Sequence, residues 1–450
     1  MSTERLGPIA RVIDGSARKR LLVFGLAAAL ALWGVWGAQR SELDTLPDLS
    51  DTQVIVATEW MGRSPTLIEN QITYPITTTF LGAPRIKTVR GLSMFGMSFV
   101  YVVFEDGTDL YWARSRVVEY LAKIAGQLPE GVTPQIGPDA TSVGWVFQYA
   151  LVDRTGQTSL QERRAFQDWH LRYWLQGLEG VAEVASVGGF EKQYQIQIDP
   201  ARMKARNVSV GQIAAAVRGA NAEVGGRVIE MAQHEYVLRG RGYVEDKHDL
   251  ELAVVTTDAR GTPIRIRDVA EVVIGGNLRR GVAELDGEGE TVGGIVIMRS
   301  GENALDVIRR VKAKLAETRR SLPPGVEVVP VYDRSQLIEH SVRTLAVNLL
   351  QILAVVVIVI FVFLFHLRSA LVAAITLPAA TAATFVTFYY LGISINIMSL
   401  AGVLLALGDM VDSACVLVEN AHRRIEQAER ECRDREGYRG ARAVYRCVWE

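Results

Sequence analysis

The sequence contains little cysteine, almost no net charge and no ATP-binding loop. Its three cysteines all lie at or after residue 415, which leaves residues 39–344 without a thiol that an oxidising compartment would cross-link. The formal net charge of −1 over 450 residues excludes a basic nucleic-acid-binding protein. No glycine-rich loop of the Walker type occurs, which argues against ATP as the energy source, and no cofactor is expected. The six histidines lie apart, without the paired spacing of metal ligands.

Apolar residues make up 49% of the chain and are concentrated in four runs. Each run is long enough to cross a hydrocarbon core about 30 Å thick, which requires roughly 17–25 residues. The runs are 21–38, 345–365, 370–391 and 397–419. We interpret the first run as a full span and not a secretory signal, because no small-residue cleavage site precedes Glu42 and Asp44. The sequence therefore predicts four transmembrane helices.

Positive charges near the ends of these runs predict their orientation. Arg368 lies in the short link between the second and third runs, and Arg423 and Arg424 follow the fourth. Arginines at these places belong on the cytoplasmic side. Both termini (1–20 and 420–450) are then cytoplasmic, and the segment between the first and second runs is exported, into the periplasm of a Gram-negative cell. The absence of cysteine from that segment agrees, although general scarcity of cysteine explains it as well.

Strands and helices alternate along the exported segment. In each of two stretches, 53–104 and 146–198, the hydrophobic pattern predicts a strand, a helix and then a paired strand. This order predicts ferredoxin-like βαβ subdomains, so the expected fold class is an α+β membrane protein. The predicted limits are 39–135 for the first subdomain, 136–185 with 275–335 for the second, and 186–274 for a β-rich insertion between its two parts.

Carboxylates occur inside the fourth apolar run. A charged side chain at the bilayer centre costs roughly 2.5–3.5 kcal/mol, so intramembrane acids are candidates for proton or ion pathways. Asp409, Asp412 and Glu419 recur at spacings of three and seven, which places them on one face of a helix. We interpret this face as a proton relay. Asp409 and Asp412 lie one turn apart and should repel in a low dielectric, which favours a shared proton.

Four motifs occur in order along the sequence. They are Leu46-Pro47-Asp48-Leu49-Ser50-Asp51, Phe104-Glu105-Asp106-Gly107-Thr108-Asp109, Tyr332-Asp333-Arg334-Ser335 and Met410-Val411-Asp412 with Val418-Glu419-Asn420. Over residues 13–426 these motifs, together with the predicted topology, resemble the heavy-metal efflux branch of the resistance-nodulation-division permeases. The copper and silver exporters of that branch match best.

The resemblance implies an inner-membrane secondary transporter and not an enzyme. Members of the branch have twelve spans in two homologous halves, so the four predicted spans correspond to the first third to half of a permease. Members form homotrimers that dock a periplasmic adaptor and an outer-membrane channel, and the insertion at 186–274 is expected to be the docking subdomain. The implied activity is proton-driven efflux of Cu(I) or Ag(I), which are substrates and not cofactors.

The resemblance also assigns expected roles to the acids of the fourth run. Asp412 matches the acid that takes part in proton transport, and Glu419 matches the acid near the cytoplasmic end of the same span. An interfacial carboxylate reaching toward water is the alternative for Glu419. Asp409 departs from the copper-type pattern, where this position is small and apolar. The divalent-metal branch has its extra acid at the position of Ala406, so Asp409 is not that residue.

Methionines are the expected metal ligands, because soft Cu(I) and Ag(I) prefer thioethers. Met398 and Met410 match two positions proposed to line a metal path through the membrane, whereas a third such position is Leu417. Met94 and Met97 lie in a turn where the family pattern is more polar, and two thioethers at this spacing are candidates for a passing Cu(I). Ordinary packing of methionine is the alternative for all four.

The segment after Glu426 is rich in arginine and contains two of the cysteines. It does not resemble the amphipathic linker of the family, so we expect a frameshifted or truncated cytoplasmic tail, with a divergent helix as the alternative. Two other functions remain open. One is export of divalent Zn, Co or Cd or of a drug, against which Ala406 argues. The other is a non-transporting fragment that acts only in assembly.

Overall fold

A computed structural model describes residues 15–16, 19–41, 43–44, 47–240, 242–258, 260–278, 281–364 and 367–436. The strands are β1 (Gln53–Glu59), β2 (Ile86–Met94), β3 (Met97–Phe104), β4 (Gln135–Ile136), β5 (Trp145–Asp153), β6 (Val181–Gly188), β7 (Lys192–Ile198), β8 (Val224–Met231), β9 (His234–Gly240), β10 (Val254–Thr257), β11 (Pro263–Arg265), β12 (Ala270–Gly276), β13 (Val292–Met298) and β14 (Val326–Asp333).

The helices alternate with these strands and then continue alone to the end of the described chain. They are α1 (Arg20–Arg40), α2 (Pro65–Ile68), α3 (Tyr74–Phe80), α4 (Leu110–Ile124), α5 (Leu160–Phe166), α6 (Arg172–Gln176), α7 (Pro200–Arg206), α8 (Val210–Ala220), α9 (Lys247–Leu252), α10 (Ile266–Val269), α11 (Ala304–Thr318), α12 (Arg334–Leu364), α13 (Leu367–Leu391) and α14 (Ile397–Glu436). Single π-helical turns, Glu69–Thr73 and Gln167–Leu171, join α2 to α3 and α5 to α6.

The first subdomain is a four-stranded antiparallel sheet in the order β2-β3-β1-β4, with helices on one face. Alternate residues of β1, including Val54 and Val56, are buried under those helices. Ile68, Ile72 and Ile76 recur every four residues and fill the same core, since this spacing keeps them on one helix face. The sheet therefore has one covered face and one open face.

The second subdomain repeats this topology with the order β14-β5-β13-β6. In both sheets the first strand pairs with the third and fourth, and the second strand lies outside the third, as in a ferredoxin-like fold. The predicted α+β class is confirmed. A long insertion separates β6 from β13, so two strands that pair directly are far apart in sequence.

The insertion contains more helix than the sequence pattern suggested. β7 pairs with β12, and β8 with β9 and β10 with β11 form two further antiparallel pairs. The helices α7 and α8 occupy the start of this stretch. Asp199 caps α7, while Ser209 and Gln212 form a capping box at the start of α8. The predicted limits 185/186 and 274/275 fall inside β6 and β12.

Helix α1 packs closely against α13 through small residues. A Cβ atom on Gly34 would overlap the Ala382 carbonyl oxygen, and one on Gly37 would lie 3.0 Å from the Phe385 carbonyl oxygen. Glycine at these positions lets the two backbones approach. Two edge-on aromatic contacts extend the interface, Trp33 with Tyr390 at 5.8 Å and Trp36 with Tyr389 at 5.1 Å between ring centroids.

One helix of the described chain, residues 21–40, is long and apolar enough to cross a membrane by length and composition. Two shorter apolar helical stretches are 375–391 and 397–410. The four predicted spans therefore stay a prediction. Helix α14 continues beyond the predicted fourth span to Glu436, through part of the predicted tail. Residues 1–14, 17–18, 365 and 437–450, which belong to the predicted termini and second span, lie outside the described residues.

Candidate ion-coupling site

Helix α14 begins at a reciprocal hydrogen-bonded cap. The Ser399 backbone N–H donates to Asn396 Oδ1, and the Asn396 backbone N–H donates to Ser399 Oγ, both at 2.9 Å. This exchange satisfies donors that the first turn of a helix cannot pair internally. Asn396 is buried, so the start of α14 is fixed inside the protein.

One face of α14 packs toward the other long helices. Val403 and Leu407 are buried, and with Leu400 and Leu404 they line an apolar cavity of about 560 Å³. Most of the remaining walls come from α1, α12 and α13. The spacing of these four residues is that of a single helix face. This face sets the rotation of α14 about its axis.

The three candidate acids lie on the opposite side of α14. Asp409, Asp412 and Glu419 are all exposed. At about 100° per residue, all three point away from the face defined by Val403 and Leu407. The sequence pattern placed these carboxylates on one face, and the structure places that face away from α1, α12 and α13.

The contacts of these acids differ. Arg423 Nη2 donates to Glu419 Oε1 at 2.6 Å, one turn along the helix, and both side chains are largely exposed. Within the described residues, Asp409 and Asp412 form no ion pair. The Ser413 hydroxyl donates to the Asp409 backbone carbonyl at 3.0 Å and not to its carboxylate. Glu419 thus has a local cation, as an interfacial carboxylate would, whereas the two aspartates are exposed without an ion pair among the described residues.

The candidate methionines of α14 do not lie along one line. Met398 is exposed on the side of the acids, whereas Met410 is half-buried on the flank of the helix. Twelve residues at about 100° each leave them about 120° apart around the axis. Met94 and Met97 belong to the first subdomain, at the turn between β2 and β3. The structure therefore separates the candidate methionines into different environments.

A buried arginine, which the sequence motifs contain but do not mark as functional, joins the long helices to the second subdomain. Arg334, the first residue of α12, donates through Nη2 to Asp44 Oδ1 at 2.7 Å and through Nη1 to the Val143 carbonyl oxygen. Asp44 follows α1, and its backbone N–H donates to the Ile395 carbonyl oxygen at 3.1 Å, just before α14 begins. We call Asp44, Arg334 and Ile395 the junction, because they connect α1, α12 and α14.

The residue before Arg334 fixes the same region to α11. Asp333 ends β14, and its buried carboxylate lies 2.5 Å from Lys312 Nζ. It also accepts hydrogen bonds from the Ser335 backbone N–H at 3.0 Å and hydroxyl at 2.6 Å. Burial acts to raise the pKa of Asp333, but the hydrogen bonds from Lys312 and Ser335 outweigh it and hold the pKa below its ordinary value. A charged Asp333 therefore anchors the start of α12.

The sequence and fold match known permeases. The sequence model of the AcrB/AcrD/AcrF family matches residues 12–448. The chain is 51% identical over 416 residues to SilA of Salmonella typhimurium and 50% identical over 416 residues to the cation efflux system protein CusA of Escherichia coli K12, covering 92% of this chain and 40% of each relative. It is 36% identical over 427 residues to the cobalt-zinc-cadmium resistance protein CzcA of Cupriavidus metallidurans, covering 93% of this chain and 40% of CzcA.

Solved structures agree with the sequence comparison. A crystal structure of a heavy metal efflux pump superposes with a TM-score of 0.84 at 30% identity, covering 92% of this chain and 41% of that chain. The chain thus spans about 40% of the length of the curated relatives it matches. The family match extends to residue 448, whereas the resemblance inferred from the motifs extended only to Glu426. The chain therefore belongs to the AcrB/AcrD/AcrF family, the resistance-nodulation-division permeases, and within that family it resembles the heavy-metal efflux branch.

Proposed function

We propose that this chain is part of a proton-driven exporter of heavy-metal cations, Cu(I) or Ag(I), in the bacterial inner membrane. The observation that carries the proposal is the 50% identity to a cation efflux system protein over 92% of the chain. The 0.84 TM-score to a heavy metal efflux pump supports it at the level of the fold. Because the chain spans 40% of such relatives, the activity, cargo and assembly of the whole protein all belong to the proposal.

The acidic face of α14 supplies the proton-coupling part of the mechanism. A carboxylate in hydrocarbon is costly when charged and much less so when protonated. Proton binding at Asp412, with Asp409 one turn away, would therefore change which surfaces this face can pack against. The start of α14 is held at the junction by the Asp44 backbone hydrogen bond to Ile395. A shift of α14 would then reach Arg334 and, through β14, the second exported subdomain.

Four membrane spans are part of the same proposal. Helix α1 meets the length and composition of a span. Helices α12 and α13 contain 31 and 25 residues, more than the roughly 20 that a hydrocarbon core requires. In this arrangement the two subdomains and the insertion lie in the periplasm. Pro378, inside α13, removes one backbone hydrogen bond there.

The β8–β9 hairpin supports assembly with further chains. Among the described residues its two strands pair only with each other, and large apolar side chains of both strands are exposed, among them Val228, Tyr236 and Val237. An isolated two-stranded hairpin is marginally stable in water, so this one is expected to gain stability from a partner surface. A homotrimer, with a periplasmic adaptor and an outer-membrane channel, is the assembly that we propose.

Three observations favour monovalent over divalent cargo. Identity to the cobalt-zinc-cadmium resistance protein CzcA is 36%, well below the 50% to CusA. Ala406 also occupies the position at which the divalent branch has an additional acid. Thioethers such as Met398 and Met410 suit Cu(I) or Ag(I) better than Zn²⁺.

Transport by a chimera tests the proposal. The chain replaces the matching 40% of E. coli CusA, and the chimera is reconstituted in vesicles with and without a pH gradient. We expect gradient-dependent movement of Ag(I) in preference to Zn²⁺, and loss of that movement in Asp412→Asn, because an amide cannot bind and release the proton. Glu426→Gln, on the same helix, is the control and should transport normally. Ag(I) movement that does not depend on the pH gradient, or that is retained in Asp412→Asn, would contradict proton coupling.

The same vesicles separate the assembly-only alternative. This chain alone, without the CusA portion of the chimera, is reconstituted at the same protein density in the vesicles. If the chimera is inactive with every cation while the chain alone lowers the activity of co-reconstituted CusA, the chain acts in assembly and not in transport. If the chimera moves Zn²⁺ and not Ag(I), the transported cargo is a divalent cation and the proposal of Cu(I) or Ag(I) export is wrong.

A further inference from the structure

Three of the nine methionines lie in or beside the hairpin of β2 and β3 in the first subdomain. Met94 ends β2, Met97 begins β3, and Met61 lies in the loop after β1. They are remote in sequence from the α14 methionines and play no part in the proton coupling proposed above. Their arrangement in three dimensions is what distinguishes them from dispersed packing residues.

Met94 and Met97 are directly opposed across the hairpin. They are register partners on either side of the two-residue turn Phe95-Gly96. Directly opposed residues of an antiparallel pair project from the same face, with Cβ atoms roughly 4.5–5.5 Å apart. Glu59 is the register partner of Met97 on the other side. Glu59, Met97 and Met94 therefore form a row across three strands, on the open face of the sheet.

Met61 is held against the turn of the same hairpin. The Trp60 backbone N–H donates to the Gly96 carbonyl oxygen at 2.9 Å, and the Gly96 N–H donates to the Arg63 carbonyl oxygen at 3.0 Å. A Cβ atom on Gly96 would lie 3.1 Å from Met61 Sδ, and Gly96 has a φ of +71°. The positive φ favours glycine at this turn, and the short distance shows how closely the Met61 thioether approaches it. The Met61 thioether therefore lies against the turn that joins the strands of Met94 and Met97.

The cluster borders a cleft that reaches the second subdomain. Glu59 and Met61 line a cavity of about 580 Å³, whose other walls include Arg164, Ser186 and Asn277. Met61 and Met94 are 42% and 48% exposed. A solvated ion can therefore reach Met61 and Met94 without a structural change, and Met97 is half-buried beside Met94. Methionines that serve only to fill a core would be buried, as Met203 is in the insertion.

We propose that Met61, Met94 and Met97, beside the Glu59 carboxylate, form a binding site for a soft monovalent metal ion, Cu(I) or Ag(I). Thioethers select such ions over Zn²⁺ or Mg²⁺. A nearby carboxylate balances the single positive charge without taking the place of the sulfur ligands. The site would load the ion at the mouth of the cleft. This inference rests on the proposed function for the source of the ion, but the chemistry of the site is tested separately.

Binding by the full chain, purified in detergent, tests the site directly. Ag(I) is titrated calorimetrically, and methyl-¹³C-methionine NMR reports which thioethers respond. We expect the combined Met61→Leu, Met94→Leu and Met97→Leu variant to lose one bound Ag(I), and each single variant to bind this ion about tenfold more weakly. Leucine conserves volume, so folding should be retained. Met231→Leu is the matched control, because Met231 is exposed on a different hairpin.

Two results would overturn the site. One is unchanged Ag(I) stoichiometry and affinity in the triple variant. The other is a set of methyl shifts that falls on methionines other than these three. Transport by the chimera distinguishes failure of the site from failure of the proposed function. If the chimera does not transport Ag(I) but the unmodified chain binds Ag(I) at these methionines, the proposed function is rejected and the site is kept. If the chimera transports Ag(I) normally but the triple variant binds Ag(I) as the unmodified chain does, the site is rejected and the proposed function is kept.

Discussion

The start of α14 and its acidic face are held in different ways. Its start is buried, capped by Ser399 and Asn396, and connected to Asp44 by a backbone hydrogen bond at Ile395. Farther along, Asp409 and Asp412 are exposed on the side away from the packed face. The chain completes the first set of contacts from its own residues. The acidic face has no such contacts among the described residues, and in the proposed mechanism it is the part of α14 whose packing changes with protonation.

Removing the junction arginine should have the largest effect on stability. Arg334→Ala leaves the Asp44 carboxylate without the cation that lies 2.7 Å away, and it removes a donor to the Val143 carbonyl oxygen. Breaking a buried ion pair costs roughly 3–5 kcal/mol. We expect a matching loss in the free energy of unfolding, measured by denaturant titration of the purified protein.

Arg154→Ala is the control for that measurement. Arg154 pairs with Glu327 at 3.2 Å in the same subdomain, but both side chains are mostly exposed. Exposed pairs contribute about 0–1 kcal/mol. Equal losses in the two variants would show that the junction is no more than another surface ion pair, and the contrast between the anchored start of α14 and its acidic face would fail.

A smaller effect is expected where α1 meets α13. Gly34→Ala would place a methyl group against the Ala382 backbone, which cannot move aside as a side chain can. Overpacking of this kind typically costs about 1–3 kcal/mol. We expect a lower melting temperature in detergent than for Gly25→Ala, a site on the same helix with open space around it. If Gly25→Ala is equally destabilising, the close approach of α1 and α13 does not anchor the helices.

Local periodicity predicted the repeated units and the acidic face. Strand alternation placed both βαβ units, and the spacing of Asp409, Asp412 and Glu419 placed these acids on one side of α14. Helices α7 and α8 were missed within a stretch interpreted as β-rich. The capping box from Ser209 to Gln212 was a visible signal for α8.

The sequence pattern could not predict contacts between residues that are far apart in the chain. Arg334 and Asp44 are 290 residues apart, and nothing in either neighbourhood indicates the other. Met61 was also missed as a neighbour of Met94 and Met97, because only the folded loop brings it over the hairpin turn. The separation of Met398 and Met410 is different. It follows from helix geometry alone, since twelve residues turn the helix by about 120° beyond whole turns.

The smallest effect on stability, and the sharpest test of the acidic face, comes from two matched ion pairs on α14. Glu419 pairs with Arg423 and Glu426 with Arg430, each one turn along the helix at 2.6 Å and largely exposed. Replacing either acid by glutamine should cost about 0.3–0.5 kcal/mol, because exposed pairs at this spacing contribute little. In the chimera, Glu419→Gln should slow gradient-driven Ag(I) movement while Glu426→Gln should not. Equal transport by both variants would make Glu419 an interfacial carboxylate, and the relay would then consist of Asp409 and Asp412 alone.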